Sequence, residues 1–451
     1  MKKYYIICIA FVLFGCQKEK EWLDKKPNKA LVVPSTIADF QTLLNKESLF
    51  NTTDNALGFL AVEDYVVTYP VWQARATTTE RNSYIWAKDI YEGASSSDWN
   101  NNYQQIYYCN TVLEGLDKLP PEQKVTQAWK QAEGEALFFR SNAFFKLVHT
   151  FAKPFDSATA SVDSGISLKL NSDPNDFPPR ASIKETYNRI TTDLLKAADL
   201  LPVTVPITSR PSQNATWALL ARICLSMENY DQALTYSDKS LHTYNTLLDL
   251  NKLSQTAAYP FSLFNAEDLF HTRLTLFGIM LNSVCQVDTN LYRSYQLNDL
   301  RRMLYFNNKS GVISFKGSYE SGISYYGGLA TDELFLIRAE CYARKGNTTS
   351  ALADLNTLLQ TRWKTGTFVP FKAASADAAL ALILTERRKE LIFRGLRWTD
   401  LRRLNKDSRF AVTLSRELNG TLYTLPPNSP LYVLPIPDNE INNNAIPQNP
   451  R

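Results

Sequence analysis

The chain has 451 residues, 44% of them apolar and 21% charged, so collagen-like, wholly disordered and polytopic-membrane classes fall away and a packed core is within reach. Against 45 Asp plus Glu stand 49 Lys plus Arg, a net charge of +4 with no long run of one sign, which builds no nucleic-acid groove. The three histidines, His149, His242 and His271, share no ligand-like spacing; the sequence calls for no metal and no cofactor and leaves a structural calcium open.

At the N-terminus Lys2-Lys3 precede an apolar run, Tyr4 to Phe14, about half of the ~20 residues that span a bilayer as a helix. The basic start, the short apolar stretch and the close at Leu13-Phe14-Gly15-Cys16 predict a signal peptide over residues 1–15. Those last four residues resemble a bacterial lipobox, with Phe14 bulkier than usual, so Cys16 is the expected lipidation site. Acylation there would anchor the mature chain without a spanning helix. Gln17, Lys18, Glu19 and Lys20 read as a polar tether. Cys109, Cys224, Cys285 and Cys341 show no CxxC spacing and predict no disulfide framework; three of them lie within apolar-periodic segments, where a cysteine is usually a small buried hydrophobe.

Further along, Trp99, Tyr103, Ile106, Asn110 and Leu113 recur at helical spacing until Pro120-Pro121. A second helix to about Thr150 carries Ala132, Ala136, Phe139, Ala143 and Leu147 on one stripe. Ser182 and Glu185 form a capping box before Ile183, Tyr187, Ile190, Leu194, Ala197 and Leu201, and Pro202 ends that helix. From Trp217, residues Leu220, Ala221, Cys224 and Ala233 fit the tetratricopeptide pattern. At an offset of 118, Phe335, Ala339, Tyr342, Asn347, Ala351 and Leu352 repeat it, with Arg338 in the Leu220 slot. Helix pairs are therefore predicted over about 99–151, 182–245, 331–363 and 376–404. Residues of about 51–98 and 260–328 form aromatic-rich insertions without helical period, and the Pro/Asn-rich tail 419–451 wraps over the helical body.

The insertions supply the candidate ligand platform: Trp72, Trp86, Tyr292, Tyr295 and Tyr319. A flat ring covers the C–H face of a sugar while neighbouring polar groups meet its hydroxyls, and a peptide would use the same rings. Glu386 and Glu390, four apart, have the spacing of paired carboxylates. Arg387, Arg388, Arg394 and Arg397 surround them, which favours a lattice of ion pairs including Glu390 with Arg394. No G-x-S-x-G, P-loop, HExxH or G-x-G-x-x-G segment has a confirming context, so no enzyme is expected.

Three segments carry a family resemblance: GEALFFRSNAFFKLVHTFAKPF from Gly134, ERRKELIFRGLRWTDLRRL from Glu386 and LPIPDNEINNNAIPQNP from Leu434. In this order they resemble the signatures of the SusD/RagB family of outer-membrane nutrient-uptake lipoproteins, with Arg394 where that family usually has Glu. The resemblance implies one mostly α domain over 16–451, a tetratricopeptide-like helix-pair scaffold with loop-rich insertions. It also implies an outer-membrane, outward-facing, lipid-anchored protein that binds a glycan or oligopeptide and delivers it to a SusC-like TonB-dependent transporter. A surface glycoside hydrolase and a tetratricopeptide protein-binding adaptor are the alternatives from other classes.

Overall fold

Capping sets where the helices begin. In the computed structural model, which describes residues 34–451, the Ser182 hydroxyl accepts from the Glu185 N–H at 3.1 Å while the Glu185 carboxylate accepts from the Ser182 N–H at 2.9 Å. Thr36 and Asp39 close the same box at α1 (Ile37–Leu44). The predicted signal peptide, Cys16 and the tether lie outside the described residues.

The scaffold continues through α2 (Ser97–Asp117), α3 (Gln127–Phe151), α4 (Ile183–Leu200), α5 (Gln213–Ser226), α6 (Tyr230–Thr243), α7 (Thr331–Arg344), α8 (Thr348–Gln360), α9 (Ala376–Glu390) and α10 (Arg397–Leu404). Helix α3 packs between α2 and α4; α5 pairs with α6, α6 leans on α7, and α7 carries α8 and α9. The protein is thus mostly helical, with short two-stranded ladders between and beside the helices, of which Asp268–Phe270 with Leu329–Ala330 is buried. Helix α3 is the spine, buried on all sides from Ala132 to Val148. A helix sunk this deep must find partners for its polar residues. Arg140 meets Asp193 of α4 at 2.6 Å, Glu133 meets Lys196 at 2.5 Å, and Lys146 pairs with Asp54. Gly134 lets α3 approach the end of α4, because a Cβ there would come within 2.9 Å of Leu201 Cγ.

The two tetratricopeptide-like copies share backbone detail. Asn229 and Asn347 both cap the second helix of their pair, at φ −83°, ψ 76° and φ −87°, ψ 76°, and each is preceded by a left-handed residue, Glu228 (φ 59°) or Gly346 (φ 80°). Ala221 and Ala339 are fully buried where the paired helices meet. The departing position also has its reason. Leu220 is buried, whereas Arg338 reaches outward to Asp238 of the preceding helix and Asp354 of its own pair, both at 2.8 Å.

Where the sequence shows no period, the structure holds helices of one or two turns: Leu57–Ala61, Tyr69–Gln73 and Thr78–Tyr84 in the first insertion, Thr289–Arg293 and Arg301–Leu304 in the second. Segments this short cannot display a 3.6-residue repeat. The two insertions fold onto each other. Strand Tyr65–Val66 pairs antiparallel with Gln286–Val287, the Arg273 N–H donates to Asn51 O at 2.8 Å, and the Ile279 N–H donates to Glu80 Oε1 at 2.6 Å. Between them Phe59, Phe315, Tyr325 and Phe393 interlock at ring-centroid distances of 5.0–5.9 Å.

The tail completes α3. The Leu434 N–H donates to Thr150 O at 3.1 Å and Asn449 Nδ2 donates to Phe151 O at 2.7 Å, which satisfies carbonyls that the helix end leaves open. Cys109, Cys224, Cys285 and Cys341 are buried free thiols. Among the described residues no helix is long and apolar enough to cross a membrane.

Candidate functional site

Beneath the insertions lies a buried ionic seam. Arg301, at the N-terminus of the short helix Arg301–Leu304, donates to Glu390 Oε2 at 2.8 Å, Glu386 Oε2 at 2.5 Å and Asp299 Oδ2 at 2.7 Å. Arg362, just past α8, donates to Glu390 Oε1 at 2.8 Å and Glu267 Oε1 at 2.7 Å. Both arginines are 0% exposed. The expected Glu390–Arg394 pair is not made: α9 ends at Glu390, Phe393 turns the chain at φ 61°, and Arg394 is carried round to Asp332 at 2.7 Å. The lattice exists, but its partners come from distant segments.

Burial pulls the Glu390 carboxyl upward, yet Arg362 and Arg301 outweigh that and hold its pKa at about 2. Asp332 goes the other way: burial, reinforced by Glu267 and Glu390, overcomes Arg394 and raises it to about 7. One carboxylate oxygen from each of Glu267, Asp332 and Glu390 lies within 4.8 Å of the others. The Arg362 guanidinium sits against this triad, 2.7 Å from Glu267 and Glu390 and 3.9 Å from Asp332, and supplies the charge a cation would bring. Glu386 and Glu390 are 4% and 1% exposed, so neither can flank a glycosidic bond in this structure.

The five candidate aromatics separate into two groups. Trp86 (5% exposed), Tyr295 (0%) and Tyr319 (1%) are core residues, which differs from the expected platform. The Trp86 indole N–H donates to Ala61 O at 2.8 Å with the Arg416 guanidinium 4.8 Å from its ring centroid. The Tyr295 hydroxyl donates to Lys389 O at 2.8 Å, and that of Tyr319 bonds to Glu267 under the Arg394 guanidinium. Each is buried by its own insertion together with segments outside both: Arg416 over Trp86, Lys389 at Tyr295 and Arg394 over Tyr319. Trp72 and Tyr292 remain half-buried. Trp72 lies against Tyr69, centroids 5.8 Å apart at 30°, and its indole N–H donates to Arg81 O at 2.9 Å. Arg302 stacks on Tyr292 at 4.9 Å. Both rings are therefore fixed in orientation while keeping solvent access.

Sequence reasoning missed a groove of about 220 Å³ between α2, the 167–178 loop and the tail. Tyr107 (44% exposed) and Phe177 (58%) lie open there, with Tyr103 beneath and Asp176, Glu440 and Asn444 at the rim. Lys169 lies 5.7 Å from the Phe177 ring centroid. The available signal was Tyr107, an aromatic off the buried stripe of α2.

Residues 21–225 match a SusD-like family model described as starch-binding and associating with the outer membrane. SusD-like protein P2 of Formosa agariphila is 23% identical to this chain over 532 residues, covering all of both proteins. Among solved structures, a SusD superfamily protein of Bacteroides thetaiotaomicron superposes with a TM-score of 0.75 at 20% identity, covering 92% of this chain and all of its own. A SusD-like carbohydrate binding protein of Bacteroides vulgatus gives 0.70 at 20% identity, covering 91% of this chain and 97% of its own.

Proposed function

We propose that the chain is a member of the SusD/RagB family: an outward-facing outer-membrane lipoprotein, acylated at Cys16, that binds a glycan without cleaving it and delivers it to a SusC-like TonB-dependent transporter. The observation that carries this reading is the contrast at the insertions. Trp72 and Tyr292 are rings locked by hydrogen bonding or stacking yet open to solvent, while the acidic pair that hydrolysis would need is sealed in ion pairs. Fixed, accessible rings bind a sugar face with little ordering cost. The family model's description and the carbohydrate-binding relative support a glycan over an oligopeptide.

Calorimetry with maltooligosaccharides tests the platform. Trp72→Ala and Tyr292→Ala should each weaken binding by about 1–3 kcal/mol, the scale of a large apolar side chain lost from contact. Unchanged affinity in both variants, or binding of oligopeptides in place of sugars, would overturn the assignment. Mass spectrometry of the native N-terminus checks Cys16 acylation, and recovery of a transporter barrel with the protein from outer membranes checks delivery.

A further inference from the structure

At the C-terminal end of α10 a cleft of about 730 Å³ opens between the 153–164 loop, the 428–433 segment and the C-terminal residues 447–450. That volume lies within the range of small-molecule sites. Its cationic lining residues are Lys153, Arg180, Arg402 and Lys406, against the carboxylates of Asp156 and Asp163.

Two of the four, Arg402 and Arg180, differ from the two lysines in their partners. Arg402, 5% exposed, donates one Nη to Ala152 O, and its Nε has no hydrogen-bond partner among the described residues. Among the described residues Arg180 donates only to carbonyls: Gly165 O at 2.8 Å, Pro447 O at 3.0 Å, Ser164 O at 3.2 Å and Phe151 O at 3.4 Å. Neither has a carboxylate within ion-pair distance among the described residues, whereas Lys153 meets Asp163 and Lys406 meets Glu228, both at 2.6 Å. Burial accordingly depresses both guanidinium pKa values, that of Arg402 to about 10. Among the described residues Arg416 also lacks a carboxylate, but the rings of Tyr84, Trp86 and Tyr65 pack round it at 3.6, 4.8 and 5.3 Å and fill the space an anion would take.

An uncompensated buried guanidinium is costly, and its fork of donors matches the oxygens of a carboxylate or sulfate. Neutral polar residues, Thr159, Asn405, Asn428, Ser429 and Gln448, line the walls around the two arginines; most are bonded within the fold, Gln448 at both ends of its amide, while Asn405 Nδ2 has no hydrogen-bond partner among the described residues. We propose that this cleft binds an acidic saccharide, with the oxyanion of a uronate or a sulfate ester held between Arg402 and Arg180. The saccharide part rests on the glycan reading above; the anion part rests on the cleft alone.

The test is calorimetry on the full mature chain with tetragalacturonate, a sulfated tetrasaccharide, neutral maltotetraose and tetraglutamate. At least one acidic saccharide should bind, and whichever does identifies the oxyanion. Arg402→Gln and Arg180→Gln should each weaken it about tenfold or more, while Trp72→Ala leaves it intact. Because Arg402 breaks no ion pair when replaced, its variant should melt within ~3 °C of the parent. Failure of both acidic saccharides to bind, equal affinity in the arginine variants, tighter binding of tetraglutamate, or a melting point lowered well beyond that margin would each overturn the proposal. Arginine-dependent binding of an acidic sugar without any binding of maltotetraose supports the cleft and counts against the aromatic platform instead.

Discussion

Arg301 and Arg362 under the insertions and Arg402 beside the tail are all buried, yet the first two are ringed by carboxylates and the third meets a single carbonyl. Charge in a low-dielectric interior is tolerated when opposite charge and hydrogen bonds surround it. A fully compensated guanidinium is committed to the fold; an uncompensated one beside a cleft is available to a ligand. Residue type and burial alone do not tell the two apart. The partner list does.

The largest expected effect tests the compensated side. Arg362→Met leaves Glu390 and Glu267 facing each other without their shared cation and should cost about 3–5 kcal/mol, read as a fall in urea midpoint at unchanged slope. A loss below 1 kcal/mol would show that the seam is not structural.

A second test uses His271, buried between Asp268 at 2.5 Å and Glu320 at 2.8 Å, with the Tyr326 and Phe264 rings packed alongside. Burial opposes its charge, but the two carboxylates prevail and raise its pKa to about 9. A raised folded-state value means that the stabilisation is complete below the ordinary pKa of about 6.5 and is lost as pH climbs through about 9, a change of roughly 3 kcal/mol. Denaturation curves between pH 6 and 10 should show this slope, and His271→Asn should remove it. Glu390 has the opposite sign: its contribution is present above about 4.5 and is lost as pH falls toward 2.

The smallest effect lies at the surface. Lys345 and Asp231 form an ion pair with side chains 46% and 76% exposed, and Lys345→Ala should cost about 0.2–1 kcal/mol, shrinking further in added salt. An effect as large as that of Arg362→Met would break the link between burial and commitment.

Local signals in the sequence carried far. The Ser182–Glu185 box and the stripe from Ile183 to Leu201 place α4 at Ile183–Leu200, and the offset repeat places Asn229 and Asn347 at equivalent caps. The candidate site was less legible. Of five chosen rings two keep solvent access, because an aromatic in an aperiodic segment has the same sequence appearance whether it faces solvent or a buried partner; the open Phe177 was passed over for the same reason, and Tyr107 although it stands off the buried stripe of α2.

By itself the sequence determined helix starts, stops and apolar faces, since these depend on residues within about four positions of one another. Only the tertiary structure decided that Glu390 takes Arg301 and Arg362 instead of Arg394, that Trp86, Tyr295 and Tyr319 are buried against Arg416, Lys389 and Arg394, and that Arg180 and Arg402 end beside a cleft with carbonyls for company. Each of those outcomes joins residues tens to hundreds of positions apart. It is set by which surfaces fold together, a property carried by no local stretch of chain.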